Sequence, residues 1–186
     1  HCVILREIGR LRELSFRAVG EGTGKRRDLD PFDDDYYQLL LWDPQELEVI
    51  GAYRFVPTAE QLARKGLPGL YSHHLFDYDD AMRPFLAQGL ELGRSFIQPA
   101  YWGRRSLDYL WFGIGAFLAR HPHYRYLFGP VSLSAALPVP ARDLLVAFYR
   151  LHFPASAALA RSRRPLPPTT PALRDTFGGE DYHQDL

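Results

Sequence analysis

The stretch YYQLLLWDPQELEVIGAYRFV, residues 36–56, constrains the fold most. Two apolar runs flank Asp43-Pro44-Gln45-Glu46, and proline at the second position presets a type I turn. The pattern predicts strands at 36–42 and 47–56, paired as an antiparallel hairpin. Ahead of it, Ile4, Ile8, Leu11 and Leu14 or Ser15 recur at helical spacing, so 4–18 is expected to be an amphipathic helix. Between them, GEGTGKRRDLDPFDDD (20–35) is a long Gly- and Asp-rich loop, a length that is usually functional or disordered. After the hairpin, Thr58 and Gln61 suggest a capping box on a helix at 59–65, ended by Gly66 and Gly69. A short strand is expected at 70–75 and a short helix at 79–87, with Pro84 near its start. A strand follows at 90–98. SLDYLWFGIGAFLAR (106–120) is an apolar-faced helix through Leu107, Leu110, Trp111, Ile114, Phe117 and Leu118, stopped by Pro122. A buried strand is expected at 124–134 and a helix at 141–151, with Pro140 in its first turn. This order implies a mixed sheet with helices on its faces, a three-layer α/β or α+β domain over 1–153. Residues 154–186 are expected to be a Pro/Ala-rich linker or C-terminal extension.

Bulk properties narrow the function classes. The 186 residues suit one domain, and 46% apolar with 14% aromatic residues suffices for a core. The 22 basic and 22 acidic side chains cancel, leaving no global field to draw nucleic acid. Cys2 is the single cysteine, so no intrachain disulfide forms. No apolar run approaches the ~18 residues of a spanning helix, and no signal peptide is evident. A cytoplasmic location is expected, with peripheral membrane contact an option. The first residue is His1 rather than Met, so the chain is expected to be a piece of a longer one.

Charges inside apolar strands carry the functional signal. LELGRSFIQPAYWGRR (90–105) places Glu91 and Arg94 in a strand, where unpaired charge is expensive. At period two, Glu91 and Arg94 point to opposite faces. A bulge near Gly93 would bring both into one cleft; the alternative is two separate structural ion pairs. Arg54 likewise sits among Tyr53, Phe55 and Val56 and needs a carboxylate or anionic ligand. The loop offers Asp28, Asp30, Asp33, Asp34 and Asp35, which repel one another unless a cation is near, either Arg54 and Arg94 or a substrate amine.

LRELSF (11–16), DPFD (30–33), GAYRFVPT (51–58) and LELGRSFI (90–97), in this order, resemble GNAT-type acyltransferases of the acyl-homoserine-lactone synthase branch. The similarity is greater to their relatives, the ornithine-lipid and N-acyl-amino-acid synthases. Residues 91–134 resemble a bacterial haemolysin-like group, some of whose members are fused to a lysophospholipid acyltransferase domain. The resemblance covers roughly 4–153 and implies a GNAT-like fold. By motif it assigns function to Arg12, Phe16, Asp30, Asp33, Arg54, Glu91 and Arg94. The tryptophan that the lactone branch carries after the phenylalanine has no counterpart in Val19–Lys25, which argues against a lactone-forming substrate. The Q/R-x-x-G-x-G/A pyrophosphate loop of ordinary GNAT enzymes is also missing, since YWGRRSLDYL carries only Gly103. Arg104 and Arg105 could meet phosphate. Even so, an acyl carrier protein thioester is the expected co-substrate ahead of acyl-CoA, with no bound cofactor.

The implied reaction is transfer of a long-chain acyl group to an amino acid or other small amine. It needs a base, expected at Glu91 directly or through water, and oxyanion donors, expected at the backbone N–H groups of Ser95, Phe96 and Ile97. Arg54 and Arg94 would hold the acceptor carboxylate or organise the loop. Asp30 and Asp33 would attract the amine or lock Arg12 and Arg54. Trp111, Phe112 and Phe117 would form core or line an acyl pocket. The other reading is a non-catalytic GNAT-like module that binds acyl carrier protein or lipid within a haemolysin-like fusion. His74 and Asp79 match an H-x-x-x-x-D acyltransferase spacing, but Asp79 equally suits a helix cap. His73, His74, His121 and His123 lack metal-ligand spacing, so no metal site is expected.

Overall fold

The computed structural model describes residues 2–134, 136–154, 159–165 and 177. Helix α1 spans Val3–Ala18, and the hairpin forms as β1 (Tyr37–Asp43) and β2 (Glu48–Pro57). The Asp43 carboxylate accepts the Gln45 and Glu46 N–H groups at 2.8 and 3.1 Å, closing the Asp-Pro turn. α2 (Thr58–Lys65) follows, then β3 (Phe76–Tyr78), α3 (Arg83–Ala87), β4 (Gly89–Ile97) and α4 (Ser106–Arg120). β5 (Tyr126–Phe128), α5 (Val139–His152) and β6 (Ala160–Ser162) complete the order. The main sheet runs β1-β2-β4-β5, antiparallel except that β5 lies parallel to β4.

Helices cover both faces of this sheet. On one, Ile8 and Leu11 of α1 pack on Val49, Ala52 and Phe96. On the other, Ile114 of α4 packs with Phe55, Leu90, Leu92 and Tyr124, and Phe117 and Leu118 join them. A third cluster joins Tyr36, Val56, Leu70, Met82 and Leu86. Each fully buried Leu, Ile or Phe contributes on the order of 1.5–3 kcal/mol, so the three clusters share the hydrophobic stabilisation. The result is the expected mixed sheet between helical layers.

Several local expectations change. The buried stripe of α1 is Ile8, Leu11, Arg12 and Ser15, whereas Ile4 and Leu14 are exposed. Residues 70–75 form no strand; Ser72–His74 is a 3-10 turn and the strand starts at Phe76. The expected helix at 79–87 divides into a 3-10 turn, Asp80–Met82, and α3, because Pro84 has no N–H to carry a longer helix. Thr58 does not cap α2. Its hydroxyl donates to the Leu86 and Gly89 carbonyls, while Gln61 donates to the Gly69 carbonyl at 3.0 Å. The expected strand at 124–134 shrinks to Tyr126–Phe128, with Tyr126 and Leu127 exposed rather than buried. Inside the stretch read as a linker, β6 pairs antiparallel with β3. Asp79 accepts the Ala81 N–H at 3.0 Å and so caps a turn, while His74 is exposed.

Candidate active site

The register of β2 on β4 jumps at the charged stretch. Ala52 faces Phe96 and Arg54 faces Gly93, so Tyr53 stands opposite both Arg94 and Ser95. This bulge carries Arg94 at φ +55°, a left-handed conformation uncommon for a residue with a Cβ. The extra residue reverses the side-chain alternation. Leu90 and Leu92 pack on the α4 face, yet Phe96 packs on the α1 face. Glu91 and Arg94 therefore share the α1 face, as the bulge reading of the sequence requires and the flat-strand reading forbids.

Below them lies a buried Arg–Asp lattice. Arg12 forks onto Asp33, with Nη2 to Oδ2 at 2.8 Å and Nη1 to Oδ1 at 3.2 Å, and Nε donates to the Asp28 carbonyl at 2.9 Å. Arg54 Nη1 donates to Asp30 Oδ1 at 2.7 Å and lies 3.1 Å from Asp33 Oδ1. Its guanidinium carbon also stands 5.2–5.9 Å from the ring centres of Phe32, Tyr36 and Tyr71. Burial pushes the Asp33 carboxyl up, but the Arg12 fork, the Asp30 N–H and Arg54 outweigh it and hold the group below its ordinary range. Asp30 and Asp33 also cap each other's backbone over the turn Pro31–Asp34. Asp33 and Asp30 Oδ1 here hold Arg12 and Arg54, while Asp30 Oδ2 accepts no hydrogen bond among the described residues.

Glu91 is 1% exposed. It accepts the Tyr36 hydroxyl, the Tyr71 N–H at 3.2 Å and the Ser72 N–H at 2.5 Å. Burial, then the Glu91 charge, pushes the Tyr36 phenol far above its usual value, so it remains a donor. Glu91, expected as a base directly or through water, thus sits inside the wall of the site, where it pins the 71–72 backbone. Arg54 is likewise buried and organises the loop, leaving Arg94 to face outward, 25% exposed.

An open cleft of about 1310 Å³ lies where β4 and β5 part. The two strands pair only from Gly89 to Glu91. At Gly129 an added Cβ would stand 2.0 Å from the Leu92 carbonyl oxygen, so only glycine lets the chain pass that close before it diverges. The cleft is lined by Phe16, Tyr53, Tyr71, Leu92 to Ser95 and Trp111, by the 127–133 segment, and by Ser162 to Arg164. Ser95 hydrogen-bonds the Tyr53 side chain, and the Tyr53 ring meets Trp111 edge-on at 5.8 Å.

Nine expected site residues fall outside this lining: Arg12, Asp30, Asp33, Arg54 and Glu91 of the buried network, and Phe96, Ile97, Phe112 and Phe117. Phe96 is buried against α1, and Ile97 pairs with Gly51 while its carbonyl accepts from Ser15 and Trp102. The bulge has shifted the open backbone to Gly93–Ser95. Phe112 is 61% exposed on the outer side of α4, and Phe117 is core, 4.9 Å from the Phe55 ring centre. Around α4, Phe112 and Phe117 lie about 100° and about 240° from Trp111, so the three cannot face one cavity. Arg104 lies over the Tyr101 ring and Arg105 binds Asp108 at 2.9 Å. Tyr36, Tyr71 and the 162–164 segment were not foreseen, and no local signal marks them. Asp28, offered by the loop as a partner for a cation, lies against Arg12 and Arg94.

The profile of the acetyltransferase (GNAT) domain matches residues 11–112, from mid-α1 into α4, and takes in every charged residue of the lattice. The glycine N(alpha)-acyltransferase of Bacteroides thetaiotaomicron is 36% identical over 196 aligned residues, 98% of this chain and 58% of that protein. Its namesake in Phocaeicola vulgatus is 34% identical over 98% of this chain and 60% of its own length. The L-ornithine N(alpha)-acyltransferase of Brucella abortus is 34% identical over 143 residues, 68% of this chain and 49% of that protein. The chain thus spans from about half to three fifths of the length of these curated relatives. No solved structure gives a significant match. With more than half its length inside the domain profile and the bulged, parted strands in place, the chain belongs to the GNAT acetyltransferase-domain family.

Proposed function

We propose that the protein to which this chain belongs is an N-acyltransferase that moves a long-chain acyl group from a carrier thioester to the α-amine of an amino acid. The observation that carries this reading is Arg94, a cation raised by the bulge at the edge of the open cleft. Relatives named for glycine and L-ornithine support an amino-acid acceptor.

In this mechanism the acceptor carboxylate docks on Arg94 and the neutral amine attacks the thioester carbonyl. The N–C bond forms, the C–S bond breaks, and the amine proton leaves with the thiol or to solvent. Backbone N–H groups of Gly93–Ser95 are the nearest source of oxyanion donors. Glu91 acts by positioning, through the backbone of Tyr71 and Ser72. The acyl chain runs along Trp111 and the 127–133 segment, and a cleft of this volume accommodates a long chain. Acyl carrier protein is the favoured donor. The turn before α4 lacks a glycine cradle for a pyrophosphate, and its two arginines are engaged by Tyr101 and Asp108. No described helix is long and apolar enough to cross a membrane. A lipid-like product and the exposed Leu107 and Phe112 favour peripheral contact at the cytoplasmic side.

The test is thiol release from long-chain acyl carrier protein by the parent chain, with glycine, ornithine and other amino acids as acceptors and mass spectrometry of the product. An N-acyl amino acid is expected. Carrier binding without turnover on any acceptor would refute the reading in favour of a non-catalytic binding module.

A further inference from the structure

Three polar atoms meet behind the cleft wall with their hydrogen-bonding capacity unused. Asp28 Oδ2, Asp30 Oδ2 and Arg94 Nε are each shielded from solvent and accept or donate no hydrogen bond among the described residues, although Arg12 Nε lies 3.3 Å from Asp28 Oδ2 as an ion pair. Arg94 touches the two carboxylates only at 3.5 and 3.6 Å. The neighbouring guanidiniums sit far tighter, Arg54 on Asp30 at 2.7 Å and Arg12 on Asp33 at 2.8 Å.

The groups are held where they are. The Asp28 N–H donates to the Gly9 carbonyl at 2.9 Å, and its own carbonyl takes Arg12 Nε at 2.9 Å. Asp30 Oδ1 is occupied by the Phe32 N–H and by Arg54, which turns Oδ2 toward Arg94. Arg94 rises from the left-handed bulge and lies over the Tyr71 ring, 5.4 Å from its centre. Buried acceptors are normally satisfied. Two shielded carboxylate oxygens beside a loosely seated cation therefore have room for a better donor.

Charge balance says what that donor must be. Arg12, Arg54 and Arg94 offset Asp28, Asp30 and Asp33. Removing Arg94 alone would strand negative charge in a shielded site, which is strongly unfavourable. An incoming ammonium restores the balance, and an incoming carboxylate gives the displaced guanidinium a partner at the cleft, where it is already partly exposed. A molecule carrying both charges on adjacent atoms of one carbon, an α-amino acid, meets both needs.

Resting on the acceptor reading above, we infer that Asp28 and Asp30 form the ammonium subsite of the acceptor, which the amino acid enters by replacing the Arg94 guanidinium. Arg94 then turns onto the acceptor carboxylate. The subsite selects and orients the protonated acceptor, whose ammonium passes one proton to water before the neutral nitrogen attacks the thioester carbonyl. Asp28 becomes a specificity-determining residue, although it lies outside the cleft lining.

The experiment is steady-state transfer by the parent chain at saturating acyl carrier protein thioester, with glycine varied. Asp28→Asn should raise the glycine KM by about 10-fold or more, the worth of one charge-assisted hydrogen bond, with the donor KM unchanged. A parallel arm needs no variant and so survives any folding defect. Dimethylglycine, a zwitterion that cannot be acylated, should compete with glycine about 10-fold more strongly than glycolate or glycinamide, each lacking one charge. A folded Asp28→Asn protein with an unchanged glycine KM overturns the inference alone, as does glycolate matching dimethylglycine. Failure to acylate any amino acid overturns the acceptor reading and this subsite with it.

Discussion

Replacing Asp33 with asparagine keeps the side chain's shape and removes one charge from the centre of the lattice. Asp33 receives Arg12 at 2.8 and 3.2 Å, the Asp30 N–H at 2.8 Å, Gln38 at 3.1 Å and the Arg54 guanidinium at 3.1 Å. An amide offers one acceptor oxygen and turns an NH2 group toward donors. Arg12 and Arg54, both fully buried, lose their shared anion. Breaking a buried pair by removing one partner costs about 3–5 kcal/mol. Arg12 keeps Asp28 and Arg54 keeps Asp30, which favours the lower half of that range. For a chain of this size each kcal/mol moves Tm by about 2–4 °C, so a fall of roughly 6–16 °C is expected. Differential scanning calorimetry of both proteins at neutral pH reads it directly. Adding Arg12→Met should recover part of the loss, because it removes one of the stranded cations. A Tm within about 2 °C of wild type would refute the claim that Asp33 is the electrostatic hub.

Three further outcomes follow from the same geometry. Gly129→Ala should destabilise by about 1–3 kcal/mol, since its Cβ meets the Leu92 carbonyl at 2.0 Å and the backbone must move; an unchanged melting curve would contradict the close approach. Trp111→Ala should alter the donor KM or the preferred acyl length, whereas Phe112→Ala, on the outer side of α4, should leave both near wild type. The Glu13 carboxyl is held down to about 2 from 4.5, first by the Thr23 hydroxyl, against burial, with Arg17 and the Thr23 and Gly24 N–H groups helping. Its folded value is depressed, so the stabilisation is complete above the ordinary carboxyl range and drains away as pH falls toward 2. Protection factors of the Thr23 and Gly24 amides, corrected for intrinsic exchange, should therefore fall across that acid window, and in Glu13→Gln they should already be low at neutral pH.

Some of the site was readable from local pattern. Pro44 and the flanking apolar runs announced the hairpin, and the spacing of Leu110, Ile114 and Phe117 announced α4. Both signals act over a few residues, where backbone sterics and periodicity decide the outcome. The cost of charge in a strand likewise flagged Arg54, Glu91 and Arg94 before any partner was visible. What misled was burial. Leu107 and Trp111 share the apolar face of α4 with Leu110, Ile114 and Phe117 by spacing, yet both are exposed, since exposure depends on what the rest of the chain brings against a helix face. Residues 124–134 look like a core strand for the same reason, although only Tyr126–Phe128 finds a partner.

Sequence alone thus established the order of elements and which side chains required compensation. Partnership was a tertiary outcome. Asp28 and Asp33 meet Arg12 across 16 and 21 residues, Tyr36 meets Glu91 across 55, and β6 closes on β3 from within an apparent linker. The one-residue bulge at Arg94 then chose which face the charges share. Separations of that length are bridged by packing and hydrogen-bond register, quantities that no window of neighbouring residues encodes.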